Sequence, residues 1–259
     1  MTSGKKARQQ RTPAPPPVRS TGGRKASPKV LAAAAVVIAM AAVAAALAFA
    51  LTGNGSGSTS TSSGPPTKLP DAAASVRIFR GIPQHGNVLG KPNAPVTMVE
   101  YIDLQCPICR VFETEVMPSI LQQYVRTGKL RVVARPLAFI NPAENSQRGR
   151  LAALAAGKQG KLFEFAQLLY ANQGSEGSDW LTDDMVRSAY ASIPGFKAQK
   201  ALALRNSSSI LAETQTYDQQ ATDDQVGGTP TVLVGKTGGT LTKANPADLG
   251  PAIRTALGQ

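Results

Sequence analysis

The sequence is poor in the residues that most metal and scaffold chemistry requires. Its 259 residues include two cysteines and one histidine. Two cysteines spaced by two residues cannot build a disulfide scaffold, because no third thiol exists to pair with either. A cysteine-only zinc site needs four ligands, and adding His85 reaches only three. What remains is a redox pair, Cys106 and Cys109. Acidic residues are also scarce, 16 against 28 Lys and Arg, which gives a net charge of +12 and a pI near 10.0. Such values invite a nucleic-acid reading, but the charge is unevenly placed. Residues 1–29 hold eight basic residues and no acid, and the rest of the chain carries only +4. A topology signal explains the arm more simply than nucleic acid, and no nucleic-acid partner is expected.

Residues 30–51 form an uncharged apolar run of 22 residues, twelve of them alanine. That is long enough for a transmembrane helix. The basic arm before it is expected to stay cytoplasmic, which places the remainder outside. A cleaved signal peptide is the alternative, with Ala48-Phe49-Ala50 as a small-residue cleavage site. The run exceeds the ~7–15 residues of a usual signal core, which favours an uncleaved anchor. Either reading exports the domain. Residues 52–70 are rich in Gly, Ser, Thr and Pro and read as a flexible tether of roughly 25 Å mean span.

The globular domain is expected over residues 71–259. Val96 to Ile102 reads as a buried strand and Asp103 to Gln105 as the turn ending it. A helical pattern follows from Cys106 to about Tyr124, with Pro118 expected to kink it. Leu130 to Ala134 is a second strand. Asn141-Pro142-Ala143-Glu144 reads as a helix start, and helical patterns, with a further cap at Thr182, fill about 141–224. Thr231 to Val234 is a short strand, Gly238-Gly239 a hairpin turn into Thr240 and Leu241, and Asn245-Pro246 the start of a last helix through Leu257. The plan is α/β with a helical insertion. His85, in the turn-like Gln84-His85-Gly86-Asn87, reads as a solvated surface residue, and Trp180 as core.

Cys106-Pro107-Ile108-Cys109 is the strongest signal. A Cys-x-x-Cys that follows a buried strand and opens a helix puts the first thiol where unpaired N–H groups and the helix dipole favour a thiolate. The thiolate is the attacking species. Pro107 suits the first helical position because its missing N–H had no partner there. Cys106 is expected to form a mixed disulfide with a partner, and Cys109, one turn deeper, to resolve it. Glu100 is a charged oddity in an apolar strand. Buried there it would have a raised pKa and could relay a proton to or from Cys109. Thr229-Pro230 precedes a strand, and its residues alone fit an ordinary turn proline.

The run from Gly90 to Tyr101 leading into Cys106-Pro107-Ile108-Cys109, with Gly228-Thr229-Pro230-Thr231 downstream, resembles the DsbA family of thioredoxin-like thiol:disulfide oxidoreductases. The resemblance covers about Gly81 to the C-terminus. It implies a thioredoxin fold with a helical insertion, Cys106 as the exposed nucleophile and Cys109 as the resolving thiol. It also implies an acid at Glu100, Pro230 as a cis-proline facing the pair, and Thr229 backbone groups offered to a bound peptide. One departure stands out: the founding member has a His between its cysteines, whereas Ile108 carries no charge. The extreme acidity and oxidising power of that member are therefore not carried over. The expected activity is oxidation of reduced exported proteins, reset by a membrane redox partner. An isomerase or reductase is the nearest alternative, and a binding or chaperone module is another. A copper carrier is disfavoured, since its one His lies upstream. No cofactor or metal is expected.

Overall fold

The computed structural model describes residues 66–259 apart from Pro142. The basic arm, the apolar run and most of the tether lie outside them. Among the described residues no helix is long and apolar enough to cross a membrane.

A short helix α1 (Ala72–Arg77) leads to two short strands, β1 (Gln84–His85) and β2 (Val88–Leu89). The turn expected at Gln84 to Asn87 is thus the tip of a hairpin, with Gly86 at φ 59°, a conformation that favours glycine. Strand β3 (Val96–Ile102) matches its expected span and is buried at every position. A strand buried on both faces reads as an unbroken apolar run rather than an alternation. Helix α2 begins at Pro107–Val111. It continues through a π-helical turn, Phe112–Val116, an α-helical turn, Met117–Ile120, and a second π-helical turn, Leu121–Val125. Pro118 lacks an N–H and crowds the carbonyl four residues back. The helix meets it with a wide turn just before, closed by Met117 N–H on the Phe112 carbonyl.

Strand β4 (Leu130–Pro136) pairs parallel to β3, the β-α-β unit that a helical crossover allows. The insertion follows as α3 (Asn145–Gly157), α4 (Leu162–Ala171), α5 (Asp183–Ser192), α6 (Ala198–Leu204) and α7 (Ser208–Asp223). Strand β5 (Thr231–Lys236) returns antiparallel to β3, β6 (Thr242–Ala244) pairs with β5, and α8 (Gly250–Leu257) closes the described chain. The sheet order is β1-β2-β4-β3-β5-β6. This is a thioredoxin-like α/β fold whose helical insertion lies between β4 and β5.

Two helix starts differ from expectation. Helix α3 opens at Asn145, not at Asn141. The Asn141 side chain does accept the Glu144 N–H at 3.2 Å, but this forms only a local turn. A tertiary contact marks the true start, where buried Asn145 donates to the Ser178 carbonyl, and a local bond from the Asn141 N–H to the Ser146 hydroxyl folds the preceding turn against it. Likewise Asn245 makes an Asx turn with the Ala247 N–H at 3.1 Å. The last helix begins at Gly250, with Pro251 in its first turn and Leu249 buried as its cap. The second arm of the β5–β6 hairpin starts at Thr242 rather than Thr240. The Thr182 cap holds, its hydroxyl accepting the Met185 N–H at 3.2 Å.

The hairpin folds tightly over Gly235. A Cβ there would collide with the Thr240 carbonyl oxygen and come within 2.9 Å of the Leu241 side chain. The carbonyl belongs to the backbone and cannot swing aside. Gly235→Ala is therefore expected to cost about 1–3 kcal/mol, the usual range for overpacking. Urea denaturation should show a lower midpoint with an unchanged slope.

Candidate active site

Strand β3 ends at Ile102, and the chain turns through Asp103 to Gln105 into α2. Cys106 is the N-cap of α2, extended at φ −76° and ψ 119°, and Pro107 fills the first turn. The Cys106 sulfur accepts the Cys109 N–H at 3.4 Å. Its thiol donates to the Thr229 carbonyl at 3.2 Å. Thr229 and Pro230 are joined by a cis peptide bond. The Cys-x-x-Cys segment and the Thr229-Pro230 segment, over 120 residues apart in sequence, therefore meet at one sulfur.

The two thiols are held in opposite electrostatic states. Cys106 is lowered to about 6, chiefly by the hydrogen bond from the Cys109 thiol. Burial opposes the shift, while the Thr229 side chain and the backbone N–H groups of Cys109 and Ile108 add to it. Cys109 is pushed well up, first by burial and then by its contact with Cys106. Both cysteines are free thiols. The expectation of an exposed Cys106 needs correction. Cys106 is 3% exposed and Cys109 not at all, whereas Ile108 between them is 62% exposed. The Thr229 loop lies across the first sulfur, and the apolar Ile108 takes the surface position.

Glu100 is fully buried, and neither carboxyl oxygen has a hydrogen-bond partner. Burial, reinforced by the nearby charge of Glu113, pushes its pKa well up. Glu113 is the residue that the sequence reading missed. It is buried on α2, has an unpartnered oxygen, and is pushed up to about 8 by burial. Its position four residues after Cys109 was the available signal, since i and i+4 share a helix face.

Asp103 was read only as a turn residue. It is fully buried, and its carboxylate accepts three backbone N–H groups, from Gln105 at 2.8 Å, Phe139 at 2.7 Å and Ile140 at 2.8 Å. It ties the turn before Cys106 to the loop after β4. The insertion grips the same turn. Gln173 donates to the Leu104 and Cys106 carbonyls at 2.9 and 3.2 Å, and the Tyr170 hydroxyl donates to the Asp103 carbonyl at 3.2 Å. Trp180 is part-buried, and its indole N–H donates to Gln105 at 2.9 Å. These partners come from α4 and from loops far along the chain, so no local pattern marks them. His85 is exposed on β1. Among the described residues no cluster of three His, Cys, Asp or Glu side chains could hold a metal ion.

A Cys-x-x-Cys pair at a helix start, met by the Thr229 carbonyl of a cis Thr229-Pro230 bond on a thioredoxin-like sheet, defines a class, and comparison with known proteins agrees. A family model described as thioredoxin matches residues 84–249, and the chain belongs to that family as a DsbA-like thiol:disulfide oxidoreductase. Among its relatives is a probable disulfide bond formation protein D of Bacillus cereus. It is 30% identical over 149 residues, covering 56% of this chain and 68% of that one. Disulfide bond formation protein D of Bacillus subtilis is 25% identical over 169 residues, covering 63% and 72%. The crystal structure of oxidised BdbD from Bacillus subtilis superposes with a TM-score of 0.59. It is 22% identical and covers 67% of this chain and 94% of that one, which shows the shared fold.

The buried acids bear on stability. A carboxyl whose folded pKa exceeds its unfolded value binds its proton more tightly when folded. Its contribution is fully present below the unfolded value of ~4.3 and is lost as pH rises through the folded one. For Glu113 that window runs up to about 8. Glu113→Gln is therefore expected to be more stable than the parent. The gain should widen across the window with a slope of up to ~1.4 kcal/mol per pH unit. Urea unfolding of both proteins at the two ends of the window checks this; a gain that does not change with pH contradicts it.

Proposed function

We propose that this protein oxidises cysteines of exported proteins from the outer face of a membrane, using Cys106–Cys109 as the exchanged disulfide. The observation that carries the proposal is the opposite tuning of the two sulfurs: Cys106 lowered to about 6 at the helix start and Cys109 raised by burial. A thiol that ionises easily leaves easily. In the oxidised state a substrate thiolate attacks the Cys106 sulfur, and the Cys106–Cys109 bond breaks toward Cys109. The second substrate thiol, deprotonated, then attacks the substrate sulfur of the mixed disulfide and expels Cys106 as a stabilised thiolate. The substrate loses two electrons and two protons, and the pair gains two electrons. A membrane redox partner that accepts two electrons restores the disulfide.

Cys109 leaves as a thiolate in a buried place where charge is costly, so it needs a proton. Glu100, whose proton affinity burial raises, supplies that proton and is reprotonated from solvent. Thr229 offers its backbone to the substrate segment in strand-like fashion. Pro230 lies against the pair, and Pro107 and Ile108 shape the exposed helix start. The domain plan completes the proposal: residues 1–29 as a cytoplasmic basic arm, 30–51 as a membrane anchor, 52–70 as a tether and 71–259 as the redox domain with its insertion at about 141–224. Export suits the chemistry, because disulfides persist outside the cytoplasm. A reductase or isomerase is the second reading, favoured only by the uncharged Ile108 between the cysteines.

Two outcomes are expected. In cells, Cys109→Ser should trap mixed disulfides with other proteins in the membrane fraction, and Cys106→Ser should abolish both trapping and turnover. Trapping that persists without Cys106 would reverse the assignment, and release of the domain into the medium would sink the anchor. In glutathione buffers the pair should equilibrate at a potential less reducing than the ~−270 mV of thioredoxin, and it should be oxidised in growing cells. A reduced pair at or below that potential makes the protein a reductase or isomerase.

A further inference from the structure

On the sheet row just before the active-site turn, Tyr101 pairs with Arg135 of β4 on one side and Thr231 of β5 on the other. The Tyr101 hydroxyl donates to Asp224 Oδ2 at 2.6 Å. Arg135 donates to that same oxygen at 3.1 Å and to the Tyr101 hydroxyl. Its guanidinium also stands 5.2 Å from the Tyr101 ring centroid, within cation–π range. The cluster is partly shielded, the Arg135 and Asp224 side chains being 18% and 34% exposed.

Two local rules are broken here. Asp224 caps the C-terminus of the 16-residue helix α7, where the dipole disfavours a negative charge. Gln225, next in the chain, takes φ 52°, a left-handed conformation that is unfavourable for a non-glycine residue. Departures from local preference that a fold tolerates are concentrated at functional positions. The position explains these. Only six residues separate Asp224 from Thr231, and they include Thr229. Tyr101 holds both ends of that loop, Asp224 through its hydroxyl and Thr231 through its backbone. Five residues further along the chain from Tyr101 lies Cys106, whose thiol meets the Thr229 carbonyl.

We propose that Tyr101, Arg135 and Asp224 are positioning residues that clamp the loop carrying Thr229 at a fixed distance from the Cys106 sulfur. Without the clamp the loop keeps Lys243 on the Gln225 carbonyl and Val226 on the Ala221 carbonyl, but it loses the side-chain tie that joins Asp224 to β3, and Gly227 and Gly228 between those anchors and Thr229 let Thr229 drift. Thr229 faces both the sulfur and the substrate segment. Its hydroxyl is buried with no hydrogen-bond partner, so it is free to donate to the thiolate that Cys106 forms. A loosened loop therefore weakens peptide docking and thiolate stabilisation together. This rests on Cys106 as the reacting sulfur and Thr229 as the docking segment.

The test uses the full chain in detergent, carrying Tyr101→Phe or Asp224→Asn, with a reduced two-cysteine peptide as substrate and glutathione disulfide as the terminal oxidant that restores the pair. KM is expected to rise about tenfold, equivalent to ~1.4 kcal/mol of binding. The Cys106 titration, followed by thiolate absorbance, should move up from about 6. Asp224→Glu, which keeps the carboxylate, should recover part of both effects. Thermal unfolding monitored by Trp180 confirms that each variant is folded at the assay temperature. Folded variants with unchanged KM and unchanged Cys106 titration would reduce the cluster to a structural ion pair and overturn the proposal, whatever the fall in melting temperature. A Cys106→Ser control separates the premises: if it turns over the peptide as well as the parent does, the assignment of the reacting sulfur fails, and the clamp fails with it.

Discussion

The contact between the Cys106 sulfur and the unpaired N–H groups at the start of α2 governs the rest of the site. Those groups have no carbonyl partner within the helix, and a negative sulfur satisfies them better than a neutral one. Because Cys106 is the N-cap and Cys109 sits three residues on, the same geometry separates the fates of two chemically identical thiols. One gains donors at the helix end, and the other is carried under the helix, away from water. The Thr229 loop then closes over the first sulfur and leaves Ile108 as the exposed apolar marker of the site.

Holding that geometry takes most of the molecule. Asp103 pins the turn with three backbone hydrogen bonds, a buried carboxylate being tolerated where its oxygens are fully engaged. The insertion contributes Tyr170, Gln173 and Trp180, each aimed at the same few backbone and side-chain oxygens. The insertion therefore supports the turn from outside the sheet.

The buried acids show the opposite economy. Glu100 and Glu113 have unpartnered oxygens in a region otherwise packed with apolar side chains. Such groups destabilise a fold unless they stay neutral.

The sequence by itself determined the chemistry and the central β-α-β unit. A strand that must be buried on both faces has to be an unbroken apolar run, and Val96 to Ile102 is one. A Cys-x-x-Cys opening a helix has only one end at which to present its sulfur. The family resemblance added Pro230, which its own neighbours left as an ordinary turn proline. Helix starts at Asn141 and Asn245 were misplaced because each Asn makes a local side-chain turn that mimics a cap, while the true starts are marked by tertiary contacts. Tertiary structure alone decided that Cys106 is nearly covered, that Glu113 is buried near Glu100, and that Asp103, Gln173 and Trp180 hold the turn. It alone brought Asp224 to Tyr101. These are contacts between residues far apart in the chain, and no local spacing or propensity encodes which distant groups meet when the core closes.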